Sequence, residues 1–216
     1  MSRLYTYIVT VDTGLAPNPF WDWCTLAVCT PNHQGSAVKP GDWLAGFSPK
    51  DTGYKFIYAM KVDERIHMND YFNDPRFQAK KPNMTGSWKQ RCGDNFYSQN
   101  SYGGWIQHPN PFHGGLLSTD TRNPYVFVAR EFWYLGKARA ETPIEFHVMI
   151  GGRGARVNHP QWLPEKFKDW VRSTFSPGVA DKPLDVESIS GCLSQAEIDA
   201  SPCALVPRSS PRCRND

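Results

Sequence analysis

The sequence predicts a mixed α+β domain: short strands, one amphipathic helix, and a long irregular loop rich in aromatic residues. Three observations carry this. Short apolar or alternating runs, punctuated by Pro, Gly, Asn and Asp, recur along the chain. A single stripe of apolar residues at three-and-four spacing follows Gln161. Between them, Arg76 to Gly115 has no sustained period yet holds Trp88, Phe96, Tyr97, Tyr102, Trp105 and Phe112, a content that argues against disorder.

Taken in order, Leu4 to Val11 (LYTYIVTV) alternates as a strand, and Asp12, Gly14, Pro17, Asn18 and Pro19 then break it with turn chemistry. Trp23 to Cys29 is a short apolar run that fits a strand and a buried helical segment equally well. DWLAGF and YKFIYAMKV flank SPKDTG, so Asp42 to Val62 predicts a hairpin. His67 to Asp74 reads as a helical turn stopped by Pro75, because a residue preceding proline avoids helical backbone. PYVFVAREFWYL and PIEFHVMI read as two further strands. Leu163, Phe167, Trp170, Val171 and Thr174 mark one face of a helix over Gln161 to Phe175, expected to pack on a sheet. Past Gly178 the composition turns to Ser, Pro, Asp and Cys. The expected organisation is therefore one domain over 1–178 and a loosely attached C-terminal tail over 179–216, with a short helix at Ser194–Ala200.

Composition narrows the class. Hydrophobic residues form 40% of the chain and charged residues 21%, as in soluble proteins, whereas 8 Trp, 9 Tyr and 12 Phe are a heavy aromatic load for core or stacking. The six cysteines are widely spaced, with no Cys-x-x-Cys pair, so free thiols in a reducing compartment are expected. No apolar run nears the roughly 20 residues of a membrane span, and the first residues lack a signal-peptide pattern, so a cytoplasmic location without membrane contact is expected. The net charge of +3, concentrated before Gly178, is too small for a protein gripping long duplex DNA. It fits a small anionic ligand or a short nucleic-acid contact.

An N-terminal strand, a Pro/Asn loop, a Gly-Asp-Trp turn opening a strand, and then YFNDPRFQ form an order of parts that resembles PUA-like domains of the EVE, YTH and ASCH kind. More closely, YIVTVDTGLAPNPFWDWCTLAVCTPNH, GDWLAGFSPK, YFNDPRFQAKKP, GDNFY and FWYLG resemble the nucleotide modification associated domain 2 family of bacteria and phages, over about residues 4–178. The resemblance implies a PUA-like small β-barrel flanked by helices and an association with modified nucleobases.

A binder of a modified base needs aromatic faces, polar groups for the base edge and cations for phosphate. Trp21, Trp23 and Trp43 are the candidate stacking walls, and Asp12, Asn18, Asp94 and Asn95 the candidate edge readers. Ser48 and Lys50, just past a strand, offer a hydroxyl and a cation to phosphate. Arg76 to Arg91 contains five cations, Lys80 and Lys81 among them, and no acid, with Phe77 and Trp88 interleaved. Each has a plainer explanation: core packing for the tryptophans, turn formation for Asp12 and Asn18, a solvated face for the cations.

Two functions follow as expectations. The first is binding of a modified nucleobase or nucleotide, free or within nucleic acid, in a setting of nucleic-acid modification or defence between phage and host. The second is an enzyme on such a base, with His108 or His113 as acid/base and Asp94 as its orienting carboxylate. No cofactor motif is present, and the histidines lack the short Cys/His pairs of a zinc site, so neither cofactor nor metal is expected.

Overall fold

The computed structural model describes residues 2–28, 37–114, 117–151 and 154–186. Strands β1 (Leu4–Ile8), β2 (Cys24–Leu26), β3 (Trp43–Phe47), β4 (Phe56–Lys61) and β5 (Glu64–His67) precede helix α1 (Met68–Asn73). Helix α2 (Trp88–Arg91), β6 (Tyr97–Gln99), β7 (Trp105–Gln107) and α3 (Leu117–Asp120) follow. The chain then forms β8 (Tyr125–Ala129), β9 (Phe132–Tyr134), α4 (Leu163–Thr174) and β10 (Gly178–Val179). The fold is α+β. One sheet has the order β1-β3-β4-β9-β10, a second β2-β8-β5, and β6-β7 pair alone. Among the described residues these sheets do not close into a barrel.

The expected hairpin is β3-β4, paired from Trp43↔Lys61 to Phe47↔Phe56. Its strands read as nearly continuous apolar runs because both faces of the sheet are buried. Leu44, Tyr58, Met60 and Tyr134 face a core shared with the second sheet. Trp43, Phe47, Phe56 and Trp133 face Leu163, Phe167 and Val171 of α4, as the stripe on that helix requires.

Two sequence expectations are corrected. PIEFHVMI is a 3-10 helix, Ile144–Met149, started by Pro143. Its buried residues, Phe146 and Met149, are three apart, whereas Ile144 and Val148 are exposed, so the run has the period of a tight helix and not of a strand. PYVFVAREFWYL is two strands, β8 and β9, which turn at Arg130–Glu131 and enter different sheets. The stretch after Arg76 holds regular pieces: a 3-10 helix at Pro75–Lys80, α2 and the β6-β7 hairpin.

The chain does not leave the body at Gly178. β10 pairs parallel with β9, the Ala180 amide donates to the Tyr134 carbonyl at 2.8 Å, and the Lys137 amide donates to the Lys182 carbonyl at 2.9 Å. Asp12 and Asp185 exchange two bonds, amide to carboxylate at 2.7 Å and amide to carbonyl at 2.8 Å. Val186 is buried with Phe20 and Cys92. Gly136, at φ +56°, and Gly14, at φ +78°, allow this strap to lie close, since a Cβ on Gly136 would collide with the Lys182 carbonyl and one on Gly14 would meet Pro183 at 2.7 Å. The helix expected at Ser194–Ala200 lies outside the described residues.

Candidate functional site

An open cleft of about 680 Å³ lies between the loop before β2, α2, the β8-β9 turn and the strap. That volume is within the ordinary range of small-ligand sites. Phe20 stands edge-on to both Trp21 and Trp88, with ring centroids 5.8 and 5.6 Å apart. Trp21 and Trp88 are half-buried on the cleft wall. Trp88 is placed by a capping box: Ser87 accepts from the Gln90 amide, and Gln90 reaches back to the Ser87 amide at 2.9 Å.

Trp21 and the exposed Asp22 both have left-handed backbone, at φ +56° and +66°. A bulky residue is rarely found there, and such strain concentrates at binding sites where the surrounding structure enforces it. The enforcement is visible. Asn18 and Thr25 close the loop with reciprocal backbone bonds of 2.8 and 2.9 Å. Inside it, the fully buried Lys80 donates to the Asn18 carbonyl at 3.0 Å, the Asn18 Oδ1 at 2.7 Å and the Trp23 carbonyl at 3.0 Å.

The cleft also gathers cations. The Lys89 ammonium lies 5.1 Å from the Phe20 ring centroid and 5.4 Å from that of Trp21. The Arg130 guanidinium lies 4.3 Å over Trp23. Among the described residues neither is in an ion pair, whereas Arg76, beside the same Trp23, is forked onto Glu64 and Asp74 at 2.6 and 2.7 Å. Lys182, Asp22 and Asp181 complete the polar lining. Aromatic faces with uncommitted cations can stack a flat ring and hold an anion attached to it.

A family model described as nucleotide modification associated domain 2 matches residues 1–190. The chain belongs to that family. Among curated proteins and solved structures, nothing matches it.

In this nucleotide modification associated domain 2 protein the residues singled out in the sequence are dispersed. Trp21 lines the cleft and Trp23 is buried beneath Arg130, whereas Trp43 lies in the opposite core, stacked on Trp133 at 5.3 Å. Asn18 is consumed by Lys80 and by its own donations to Gly14 and Cys92 carbonyls at 3.0 and 2.7 Å. Buried Asp12 accepts from the Tyr134 hydroxyl at 2.5 Å and faces Arg139, and burial raises its pKa. Asn95 is buried and donates to the Tyr71 and Phe77 carbonyls, both at 3.1 Å, while its Oδ1 has no partner. Buried Ser48 accepts from the Lys55 amide at 2.8 Å, Lys50 is exposed at the hairpin turn, and the Lys81 ammonium lies 3.6 Å over Phe72. None of the residues from Lys39 to Lys50 lines this cleft.

The acid/base candidates are likewise apart from the cleft. Asp94 is buried and accepts from Thr25 and Tyr71 hydroxyls, both at 2.7 Å, with burial raising its pKa. His113 is buried against the Asp120 carboxylate at 2.5 Å, and the Tyr97 hydroxyl donates to the same oxygen at 2.7 Å. His108 stacks on Phe72 at 4.7 Å, pairs with the Ser98 hydroxyl at 2.8 Å, and is held below the usual imidazole range by burial and by Lys81. Among the described residues no group of His, Cys, Asp and Glu is arranged to hold a metal ion, and no helix is long and apolar enough to cross a membrane.

Sequence reasoning missed Phe20, Lys89, Arg130 and the strap. Lys89 and Trp88 did fall in the flagged basic and aromatic stretch. Arg130 had no local signal, because only the β8-β9 turn brings it to Trp23.

Proposed function

We propose that the cleft binds a modified nucleobase or nucleotide, with the base against Trp21 and its phosphate toward Lys89 and Arg130. The observation that carries this reading is the strained, half-exposed Trp21, lining one cleft with Lys89 beside it and Arg130, neither cation in an ion pair among the described residues, in a protein of a nucleotide modification associated family. Structural tryptophans do not need left-handed backbone, as Trp43 and Trp133 illustrate. Phe20 and Trp88 restrict the width of the ring that fits, and Asp22 and Asp181 supply acceptors for a base edge or a sugar hydroxyl.

Binding without turnover is favoured over acid/base catalysis by the placement of the titratable groups. A general base must reach the proton it removes, and His113 and Asp94 are buried in hydrogen-bonded networks of their own. The test is calorimetric titration with ordinary and base-modified nucleoside monophosphates, followed by mass spectrometry of the recovered ligand. Saturable binding of a modified nucleotide with unchanged ligand mass supports the reading. Absence of binding across the panel, or a changed mass, counts against it.

A further inference from the structure

We infer that Lys80 is the positioning residue of the Trp21 platform: its buried ammonium fastens both ends of the loop from inside and sets where the indole stands in the cleft. Its bearing on ligand binding rests on the reading of that cleft as a base site. An ammonium has three donors and no acceptor. Here all three go to two residues, Asn18 and Trp23, which bracket the left-handed pair Trp21 and Asp22. Among the described residues no other side chain bonds to both Asn18 and Trp23.

Lys80 is a fixed anchor. Its carbonyl accepts from the Asn95 amide at 3.1 Å, and the Gly93 backbone presses so close that a Cβ there would collide with it. A methionine would fill the same space and leave the Trp23 carbonyl and the Asn18 amide oxygen without a donor, with the Asn18 carbonyl held by Thr25 alone, so the buried cation is retained for its bonds. The charged and titratable groups facing it are Asp94 before β6, the Cys24 thiol on β2 and Lys89 on α2. Asp94 opposes its charge from a site fixed by Thr25 and Tyr71, and burial raises the Cys24 thiol pKa, which keeps that thiol neutral. Burial lowers the Lys80 pKa to about 8, with Lys89 acting in the same direction and Asp94 against it. Once deprotonated, the amine has two donors for three acceptors, and one end of the loop loses a bond.

The test uses ligand-free, isotope-labelled protein, so it can fail independently of whether any nucleotide binds. The Trp21 indole resonance is assigned by its absence in Trp21→Phe. In Lys80→Met, hydrogen exchange at the Asn18 and Thr25 amides that close the loop should rise about tenfold, the equivalent of one lost hydrogen bond, while the Leu44 amide in β3 keeps its protection. A folded Lys80→Met with parental exchange and indole shift overturns the inference. If that variant does not fold, the parent decides. Between about pH 6.5 and 9.5 the Trp21 indole shift should follow the titration of the Lys80 Nζ, with the Trp133 indole as the unmoved control. A Trp21 signal that ignores that titration overturns the inference as well.

Discussion

At Trp21 and Asp22 the backbone enters the left-handed region twice in succession, at a cost of about 1–2 kcal/mol for each residue. A fold keeps such a cost where the side chain it presents has a use. Trp21→Ala should therefore retain cooperative unfolding and lose roughly 1–3 kcal/mol of nucleotide binding, the worth of one stacked base. Trp23, two residues on, is buried under two guanidinium groups, and Trp23→Ala should cost about 3–5 kcal/mol of stability, read by thermal denaturation. Lys80 gives a prediction with a defined sign. Its folded pKa, about 8, lies below the unfolded value of 10.5, so between these values the unfolded chain holds more protons and stability gains from rising pH. The parent should gain stability relative to Lys80→Met as pH rises through that window. A gap that narrows with pH contradicts the assignment.

At the scale of elements, the cleft depends on the strap as much as on the loop. Pro177, Gly178, Val179, Asp181 and Lys182 form one side of it, and the strap is held by β10, by the Asp12–Asp185 exchange and by the close approach at Gly136. Gly136→Ala should displace the strap and weaken nucleotide binding, while the β3-β4 hairpin keeps its amide protection; retained affinity in that variant would detach the strap from the site. The sequence was legible where a local period sufficed. The hairpin, α1 and α4 could be read because each carries its own turn, breaker or stripe. The strap could not, because Val179 to Val186 carries no sustained apolar period and its anchors include backbone bonds to residues as distant as Asp12. PIEFHVMI misled because a short apolar run leaves strand and helix undivided until burial reveals its period. In the site, Trp21 could be named from its Pro/Asn loop, but Asn18, Asp12 and Asn95 could not be sorted into structural and binding groups before their partners were known.

At the scale of the whole molecule, ion pairs among the described residues take up only part of the charge, as at Lys55–Glu141, Lys61–Glu131, Arg139–Asp12 and Lys166–Glu145. Lys89 and Arg130 are among the described cations outside such pairs and lie together on the cleft wall, and with a net charge of only +3 the pull on an anion rests on such local groups. Affinity for a nucleoside monophosphate should therefore fall as salt rises, and Lys89→Gln with Arg130→Gln should flatten that dependence. An unchanged salt response would place the phosphate elsewhere. The central claim, that this cleft binds a modified base against Trp21, is tested most directly by calorimetric titration of the parent and Trp21→Ala with the same panel of ordinary and base-modified nucleoside monophosphates. The account predicts saturable binding of a modified nucleotide by the parent and a loss of about tenfold or more in the folded variant. Equal affinity in the two proteins would contradict it.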